Sequence, residues 1–229
     1  MSEVFERKEK KYLLEKSTYK SLLTEIKDYI KPNKFFDTDV WSIYYDTDNN
    51  QLIRRSIEKP AYKEKLRIRS YGQIKDNKVY IELKKKLNGT VYKRRTKTNY
   101  LDALNSVGTA ECDDKQVGEE IKYFIEYYGG LHPSYCIGTR RLSYETKDNP
   151  DIRITFDIDP VYRNQRLFLG PSDEDKELTD KVIMEIKVKG AMPLWLSHAL
   201  EKYKIYPTSF SKVGTAYTKE LIKNINKEI

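Results

Sequence analysis

Hydrophobic and polar residues alternate strictly in several short segments of the chain. In KLRIRSY (residues 65–71), two apolar side chains separate the three cations Lys65, Arg67 and Arg69. Because successive side chains of a β-strand point to opposite faces, this alternation predicts a strand with one apolar face and one cationic face. Similar patterns predict eight strands, at residues 5–14, 41–45, 62–71, 78–85, 91–97, 134–144, 152–158 and 181–188.

Apolar residues three and four positions apart predict four helices. The first, at residues 17–30, has Ser17 as its predicted cap and Pro32 beyond its end. The second stops at Gly129 and Gly130, which suit the left-handed turn that ends many helices. The other three helices are predicted at residues 116–128, 193–204 and 216–227, and the acidic segments 101–115 and 163–179 are predicted to be irregular loops.

These elements predict an α+β fold in a single domain over residues 1–229, since no internal repeat or long linker divides the sequence. Eight mostly consecutive strands favour an eight-stranded antiparallel β-barrel or a strongly curved sheet. The apolar stripes of the helices need an apolar surface, which the strands offer on one face only. We therefore expect the helices to pack outside and the charged faces to line a tunnel. An open sheet with a basic face is the alternative.

Positive charge is concentrated in the middle of the sequence. The chain of 229 residues has a formal net charge of +8, and 13 Lys or Arg stand against three acids between Lys63 and Lys97. This surplus predicts a polyanionic partner: nucleic acid, an anionic membrane or polyphosphate. Nucleic acid is disfavoured, because the cations alternate mostly with Leu and Ile rather than with the aromatic residues on which bases stack.

The sequence predicts a cytoplasmic chain without a transmembrane segment. No apolar run approaches the roughly 18 residues that cross a bilayer, and the N-terminal MSEVFERKEKKY lacks the apolar core of a signal peptide. Cys112 and Cys136 lack the spacing of metal ligands, so free thiols are predicted. His132 and His198 form no catalytic pattern and are assigned structural roles.

Two glutamates interrupt the cationic faces. Glu185 and Lys187 share a strand face, and so do Glu82 and Lys84. A phosphoryl-transfer site needs cations at the non-bridging oxygens and a carboxylate for a divalent metal. Glu185 is therefore a predicted metal ligand and Lys187 a predicted phosphate contact. An internal salt bridge within each pair is the alternative.

Seven segments, in order along nearly the whole chain, resemble the VTC domain, the polyphosphate polymerase domain of the vacuolar transporter chaperone family. They are FERKEKKY (5–12), KLRIRSYG (65–72), YIELKKKLNGTVYKRR (80–95), GTRRLSYE (138–145), IRITFD (152–157), VIMEIK (182–187) and FSK (210–212). This family belongs to the triphosphate tunnel metalloenzymes, so the resemblance implies an eight-stranded antiparallel barrel around a charged tunnel. It also implies a polymerase that transfers the terminal phosphoryl group of ATP to inorganic polyphosphate with Mn²⁺ or Mg²⁺.

The resemblance assigns roles to individual residues. Glu185 matches the family's metal-binding glutamate, and Lys187 is expected to join the phosphate contacts. Hydrolytic relatives carry Glu-x-Glu-x-Lys where this chain has Arg7-x-Glu9-x-Lys11, which favours the polymerase. Ser209 stands where the fungal polymerase has a lysine, so one phosphate contact is expected to be missing. The predicted phosphate-binding residues are Lys11, Arg67, Arg69, Lys84, Lys93, Arg141, Arg153 and Lys212.

Two other functions stay open at this point. Hydrolysis of tripolyphosphate or of a nucleoside triphosphate breaks the same bond, with water as the acceptor. A non-catalytic polyphosphate-binding module needs the cations alone. The SPX module and transmembrane region that accompany this domain in the fungal complex are not found in the sequence. We therefore do not expect this chain to export a product itself, and the sequence identifies no membrane-protein partner.

Overall fold

The described residues form nine strands and six helices. The computed structural model of the protein describes residues 8–58, 60–74, 77–88, 90–105, 107–109 and 111–228. The strands are β1 (Lys8–Leu14), β2 (Ile30–Asp46), β3 (Tyr62–Tyr71), β4 (Lys78–Leu87), β5 (Thr90–Asn99), β6 (His132–Thr146), β7 (Arg153–Arg163), β8 (Lys176–Glu177) and β9 (Val182–Val188). The helices are α1 (Lys16–Ile26), α2 (Gln51–Glu58), α3 (Tyr100–Asn105), α4 (Lys115–Tyr127), α5 (Leu194–Lys202) and α6 (Lys212–Glu228).

Each of the eight predicted strands is confirmed, and β8 is an additional strand of two residues. Residues 5–7 of the first predicted strand, including Arg7, lie outside the described residues. The largest difference is β2, which begins at Ile30 instead of residue 41. Most side chains in its first ten residues are exposed, so no apolar face marks them as a strand in the sequence.

The four predicted helices are confirmed with shifted ends. α1 stops at Ile26 because the chain turns there and enters β2 at Ile30. The predicted cap is wrong: Ser17 lies inside α1, and Glu15 occupies the cap position without a side-chain hydrogen bond. The end of α4 agrees with the prediction, because Gly129 and Gly130 adopt φ of 71° and 111°, which glycine tolerates without strain.

Two helices, α2 and α3, were not predicted. Both Asp46 carboxylate oxygens accept backbone N–H groups of α2, from Leu52 and Ile53, each at 2.8 Å. The Asn99 side chain accepts from Leu101 of α3 at 3.0 Å. These side chains satisfy donors that a helix start leaves unpaired. As a result, α3 occupies the start of the segment 101–115, which is predicted to be a loop, and α2 forms where the sequence predicts no element.

The chain divides into two compact units, each with its own core. The first contains the described parts of Met1–Asp39, Thr139–Pro160 and Glu177–Phe210. Its strand order is β1-β9-β7-β6-β2, and the β1–β9 and β7–β9 pairs are antiparallel. Leu22 and Ile26 of α1 pack with Phe156 of β7 and Leu196 of α5.

The second unit contains the described parts of Val40–Gly138, Val161–Lys176 and Ser211–Ile229. Its strand order is β2-β3-β4-β5, with antiparallel pairing throughout. Ile68 of β3 and Ile81 of β4 pack with Ile121 and Phe124 of α4. Helices therefore cover the apolar faces of these strands, as predicted. Strands β2, β6 and β7 have residues in both units.

The pairings define a large antiparallel sheet without closure into a barrel. Among the described residues, β1 pairs with β9 alone and β5 pairs with β4 alone. The predicted α+β class is confirmed, whereas the predicted closed barrel does not follow from these pairings. In the part of the chain that the structure describes, no helix combines the length and apolar character needed to cross a membrane.

Candidate functional site

The second unit sets charged side chains in three rows across one face of its sheet. The antiparallel register puts Arg67 opposite both Tyr44 and Glu82. Apolar residues between these positions, such as Ile68, point to the core, as strand alternation requires. We call the following residues the cationic rows: Ser42, Arg69, Tyr80 and Lys97; Tyr44, Arg67, Glu82 and Arg95; Lys65, Lys84 and Lys93.

Glu82 is the acid within the cationic rows, and it is 1% exposed. Its Oε2 accepts hydrogen bonds from Arg67 Nε at 2.8 Å and Nη2 at 2.6 Å, while its Oε1 lies 2.5 Å from Lys93 Nζ. Arg69 and Arg95 approach to 3.8 and 3.7 Å. Four cations surround this carboxylate, so a divalent metal has no favourable position beside it.

These charges also determine the protonation of Glu82. Burial raises the pKa of the carboxyl, but Arg67, Arg69 and Lys93 outweigh burial and hold that pKa well below its usual range. Burial, together with the charge of Arg67, lowers the pKa of Lys93, although Glu82 raises it. Glu82 is therefore ionised, and it orients the surrounding cations as their shared counter-ion.

Aromatic rings and hydroxyls fix the guanidinium groups further. Arg95 Cζ lies 3.4 Å from the centroid of the Tyr80 ring, and Arg69 Cζ lies 5.7 Å from the centroid of Tyr71. Arg69 Nε donates to Ser42 Oγ at 2.8 Å. Stacked cations of this kind lose little conformational freedom on binding an anion.

The predicted residues Lys84 and Lys212 also belong to this region. Lys84 lies in register with Lys65 on β3 and Lys93 on β5. Lys65 Nζ donates to Ser211 Oγ at 2.8 Å, next to Lys212, the first residue of α6. The strands and the start of α6 therefore bring together five of the predicted phosphate-binding residues.

The first unit has its own charged cluster, which we call the paired cluster. The register of β1, β9 and β7 sets Lys11 opposite Glu185, and Lys187 opposite both Glu9 and Arg153. Each lysine thus faces a glutamate across the β1–β9 pair, while Lys187 also faces Arg153. The paired cluster consists of Glu9, Lys11, Arg141, Arg153, Asp157, Glu185 and Lys187.

Glu185 forms a close ion pair with Lys187. Lys187 Nζ lies 2.7 Å from Glu185 Oε1 and 3.8 Å from Glu9 Oε2. Lys11 Nζ lies 3.7 Å from Glu9 Oε1. Burial raises the pKa of Glu185, but Lys187, Lys11 and Arg141 outweigh burial and hold that pKa well below its usual range. The internal salt bridge that the sequence left open is present in this pair.

Two predicted arginines of this unit differ in their surroundings. Arg141 donates from Nε and Nη2 to both carboxylate oxygens of Asp157, at 2.6 and 2.8 Å. Asp157 is 2% exposed, so this fork is a buried ion pair. Arg153 is exposed. The paired cluster thus offers one arginine held by a carboxylate and one facing solvent.

The carboxylates of the paired cluster fit a hard divalent cation together with oxygen ligands from a bound phosphate. Glu185 and Glu9 both approach Lys187, but no group of three or more His, Cys, Asp or Glu that could hold a metal occurs within the described residues. Mg²⁺ is commonly bound by one or two carboxylates together with substrate phosphates and water. The two glutamates fit such an ion if phosphate oxygens complete its coordination.

The structure places the predicted residues in two groups. Arg67, Arg69, Lys84, Lys93 and Lys212 belong to the second unit, and Lys11, Arg141, Arg153, Glu185 and Lys187 belong to the first. Their phosphate and metal contacts stay predictions. Sequence analysis missed the roles of Tyr44, Ser42 and Asp157 as partners of the arginines, although strand parity places each of them on a charged face.

Comparison with known families identifies the class of this protein. The family model described as "VTC domain" matches residues 6–220. The chain therefore belongs to the VTC domain family, as the sequence motifs predicted. No curated protein matches the chain.

Solved structures resemble the fold. A putative adenylate cyclase from Bacillus halodurans superimposes with a TM-score of 0.55 at 17% identity, covering 90% of this chain and 94% of that one. A putative adenylate cyclase from Vibrio parahaemolyticus gives a TM-score of 0.48 at 11% identity, covering 93% and 98%. The first likeness supports the fold assignment.

Proposed function

We propose that this protein is a metal-dependent polyphosphate polymerase that transfers the terminal phosphoryl group of ATP to inorganic polyphosphate. The observation that carries the proposal is the set of cationic rows, in which Glu82 is the acid among Arg67, Arg69, Lys65, Lys84, Lys93, Arg95 and Lys97. This concentration of cations on one face of the sheet suits an anion that carries several charges. Membership of the VTC domain family supports a phosphate chain as that anion.

In the proposed reaction, a terminal oxygen of polyphosphate forms a bond to the γ-phosphorus of ATP. The bond from that phosphorus to the β–γ bridging oxygen breaks, and its electron pair leaves with ADP. Arg67 and Arg69 would bind non-bridging oxygens through forked hydrogen bonds, whereas Lys84 and Lys93 would act as point charges. Cations that Glu82 and the rings hold in place need little reorganisation as charge develops.

The paired cluster would hold the metal. Glu185, with Glu9, would bind Mn²⁺ or Mg²⁺, and the metal would neutralise charge on the phosphates. Lys187 lies beside both glutamates and would contact a phosphate oxygen. Lys11, Arg141 and Arg153 complete the predicted contacts. The closed barrel and its tunnel stay predictions from the family resemblance.

The test is an incubation of the purified protein with ATP and Mn²⁺ or Mg²⁺. Products are separated on a gel stained for polyphosphate, and ADP and free phosphate are quantified. We expect a ladder of chains with matching ADP. Glu185→Gln should reduce turnover by about two orders of magnitude, since it removes the charge of the proposed metal ligand. Glu15→Gln is the matched control, because Glu15 forms an exposed pair with Lys181.

Other outcomes would overturn the polymerase. Free phosphate without chains would identify a tripolyphosphatase or nucleoside triphosphatase. Binding of tripolyphosphate with no metal-dependent turnover would leave a binding module. Equal turnover by Glu185→Gln and the wild type would remove Glu185 from the metal site.

A further inference from the structure

Tyr44 lies inside the cationic rows, in register with Arg67. Its side chain is 8% exposed. Arg67 Nη1 donates a hydrogen bond to the Tyr44 hydroxyl at 2.8 Å, and the guanidinium carbon lies 5.6 Å from the centroid of the ring. The hydroxyl oxygen is therefore an acceptor that occupies one donor of a predicted phosphate-binding arginine.

Charges from two elements act on this hydroxyl. Burial raises the pKa of Tyr44, but Arg67, Arg69 and Lys65 on β3, together with Lys212 on α6, outweigh burial and lower the pKa from 10.0 to about 7. The acid of the same row, Glu82, accepts hydrogen bonds from Nε and Nη2 of Arg67. Near neutral pH, the side chain of Tyr44 is therefore in equilibrium between its phenol and phenolate forms.

The next residue shows that this state is specific to the charged face. Tyr45 points to the core, where its hydroxyl donates to the Ala103 carbonyl oxygen at 2.9 Å. Burial raises the pKa of Tyr45 above its usual value. Two adjacent buried tyrosines therefore differ in proton affinity because only Tyr44 faces cations.

A bound phosphate competes with the phenolate for the same donors. Arg67, Arg69 and Lys212 are predicted phosphate contacts, and they are also cations that stabilise the Tyr44 phenolate. A like charge brought close to an acid disfavours its ionised form. Occupation of the cationic rows by a phosphate chain would therefore return the proton to Tyr44.

We propose that Tyr44 is a proton-exchanging residue of the phosphate site: its phenolate neutralises part of the cationic rows in the free protein and takes up one proton from solvent when a phosphate chain binds. This inference rests on the proposed function, because it requires phosphate to bind the cationic rows. It assigns Tyr44 a role in setting the pH range of binding.

The direction of the pH effect on affinity follows from the linkage between phosphate binding and protonation of Tyr44. Below about pH 7 the free protein already carries the proton on Tyr44, so binding takes up none. Above about pH 7 the proton must be acquired from solvent, and the contribution of Tyr44 to the affinity falls about tenfold for each further pH unit. Other groups and the ligand also titrate, but a Tyr44→Phe variant shares them.

The experiment measures binding of inorganic tripolyphosphate without metal, by titration calorimetry, to the wild type, Tyr44→Phe and the control Tyr45→Phe. The ratio of the wild-type Kd to the Tyr44→Phe Kd should rise about a hundredfold between about pH 6 and about pH 9. The phenylalanine variant should thus bind more tightly at alkaline pH. Calorimetry in buffers of different ionisation enthalpy should show that, at about pH 8.5, the wild type takes up about one more proton on binding than Tyr44→Phe does.

The outcomes separate the two proposals. Binding with a pH-independent ratio would overturn the role of Tyr44 and leave the proposed function standing. Absence of binding by all three proteins would contradict both. A ratio for Tyr45→Phe that follows the same course would also overturn the inference, because that hydroxyl faces the core.

A second measurement applies if Tyr44→Phe does not fold. The pKa of Tyr71 is also lowered, because Arg69 and Lys93 outweigh its burial, so the titration uses the Tyr71→Phe variant. Tyrosinate absorbance should develop with a midpoint near pH 7, with the amplitude of one residue, and should disappear when tripolyphosphate is added. No tyrosinate below about pH 9 would overturn the inference.

Discussion

The two charged clusters of this protein differ in their balance of charge. In the cationic rows, Glu82 is the acid within a group of Lys and Arg from β3, β4 and β5. In the paired cluster, the acids Glu9, Asp157 and Glu185 nearly match the cations. The difference shows how one alternating strand pattern serves two purposes. An excess of fixed cations suits a phosphate chain, whereas carboxylates among cations suit a metal ion.

The largest expected effect tests the counter-ion of the cationic rows. Glu82→Gln should destabilise the protein by about 3–5 kcal/mol, because it leaves cations close together without their buried partner. Glu120→Gln is the matched control. Glu120 also binds two cations, Lys85 and Arg94 at 3.0 and 2.9 Å, but its side chain is 27% exposed, so its loss should cost less than about 1 kcal/mol.

Denaturant unfolding measures both variants, with and without tripolyphosphate. The added anion should restore more stability to Glu82→Gln than to the wild type, because it supplies the missing negative charge. Equal losses of unfolding free energy for the two variants would mean that burial of Glu82 adds nothing to its contribution to stability. The contrast drawn between the two clusters would then be contradicted.

The next effect concerns the paired cluster and two adjacent arginines. Arg141→Ala should cost about 2–4 kcal/mol, because it leaves the buried Asp157 carboxylate without a partner. Arg140 forms an equally forked pair with Asp37, at 2.9 and 2.6 Å, but both side chains are exposed. Arg140→Ala should therefore cost about 1 kcal/mol or less. Thermal or denaturant unfolding of the two variants decides whether burial, rather than geometry, sets the difference.

The smallest effect is the pH dependence of stability that Tyr44 contributes. Its pKa of about 7 in the folded protein lies below the ordinary 10.0, so the unfolded chain binds the proton more tightly. The stability contributed by Tyr44 therefore rises with pH between these values and is lost as pH falls through 7. Between about pH 7 and about pH 9 the wild type should gain about 2 kcal/mol relative to Tyr44→Phe.

Urea unfolding of both proteins across that range gives the difference directly. A constant difference would show that the cations do not lower the proton affinity of Tyr44. The contrast between the cationic rows and the paired cluster would then be supported by Glu82 only.

Strand parity was enough to predict the faces of the sheet. The alternation in KLRIRSY assigned Arg67 and Arg69 to one face and Leu66 and Ile68 to the other, and the structure confirms both assignments. The reason is physical: the period of two is a property of the strand itself and needs no knowledge of its neighbours.

Cross-strand partners could not be predicted in the same way. Parity placed Glu82 beside Lys84, but the register brings Arg67 from β3 and Lys93 from β5 to its carboxylate. Register depends on turns and on packing against helices, which alternation within one strand does not encode. The contact between Tyr44 and Arg67 could not be predicted for the same reason, since the neighbours of Tyr44 in sequence are apolar or hydroxylic.

Short helices were missed because their stability comes from outside them. α2 has eight residues, and its start depends on Asp46, five residues before its first residue. A helix of this length is marginal in isolation. Capping by a buried carboxylate and packing against β3 therefore decide its formation.

The dependence of several cations on Glu82 has a consequence for sequence divergence. Replacing Glu82 alone leaves Arg67 and Lys93 close to other cations, and replacing either cation alone weakens the neutralisation of a buried acid. We therefore expect single substitutions at these positions to destabilise the protein more than compensating pairs do. Among relatives of this chain, positions 67, 82 and 93 should change together, so that a lineage that has lost the glutamate has also lost part of its basic charge.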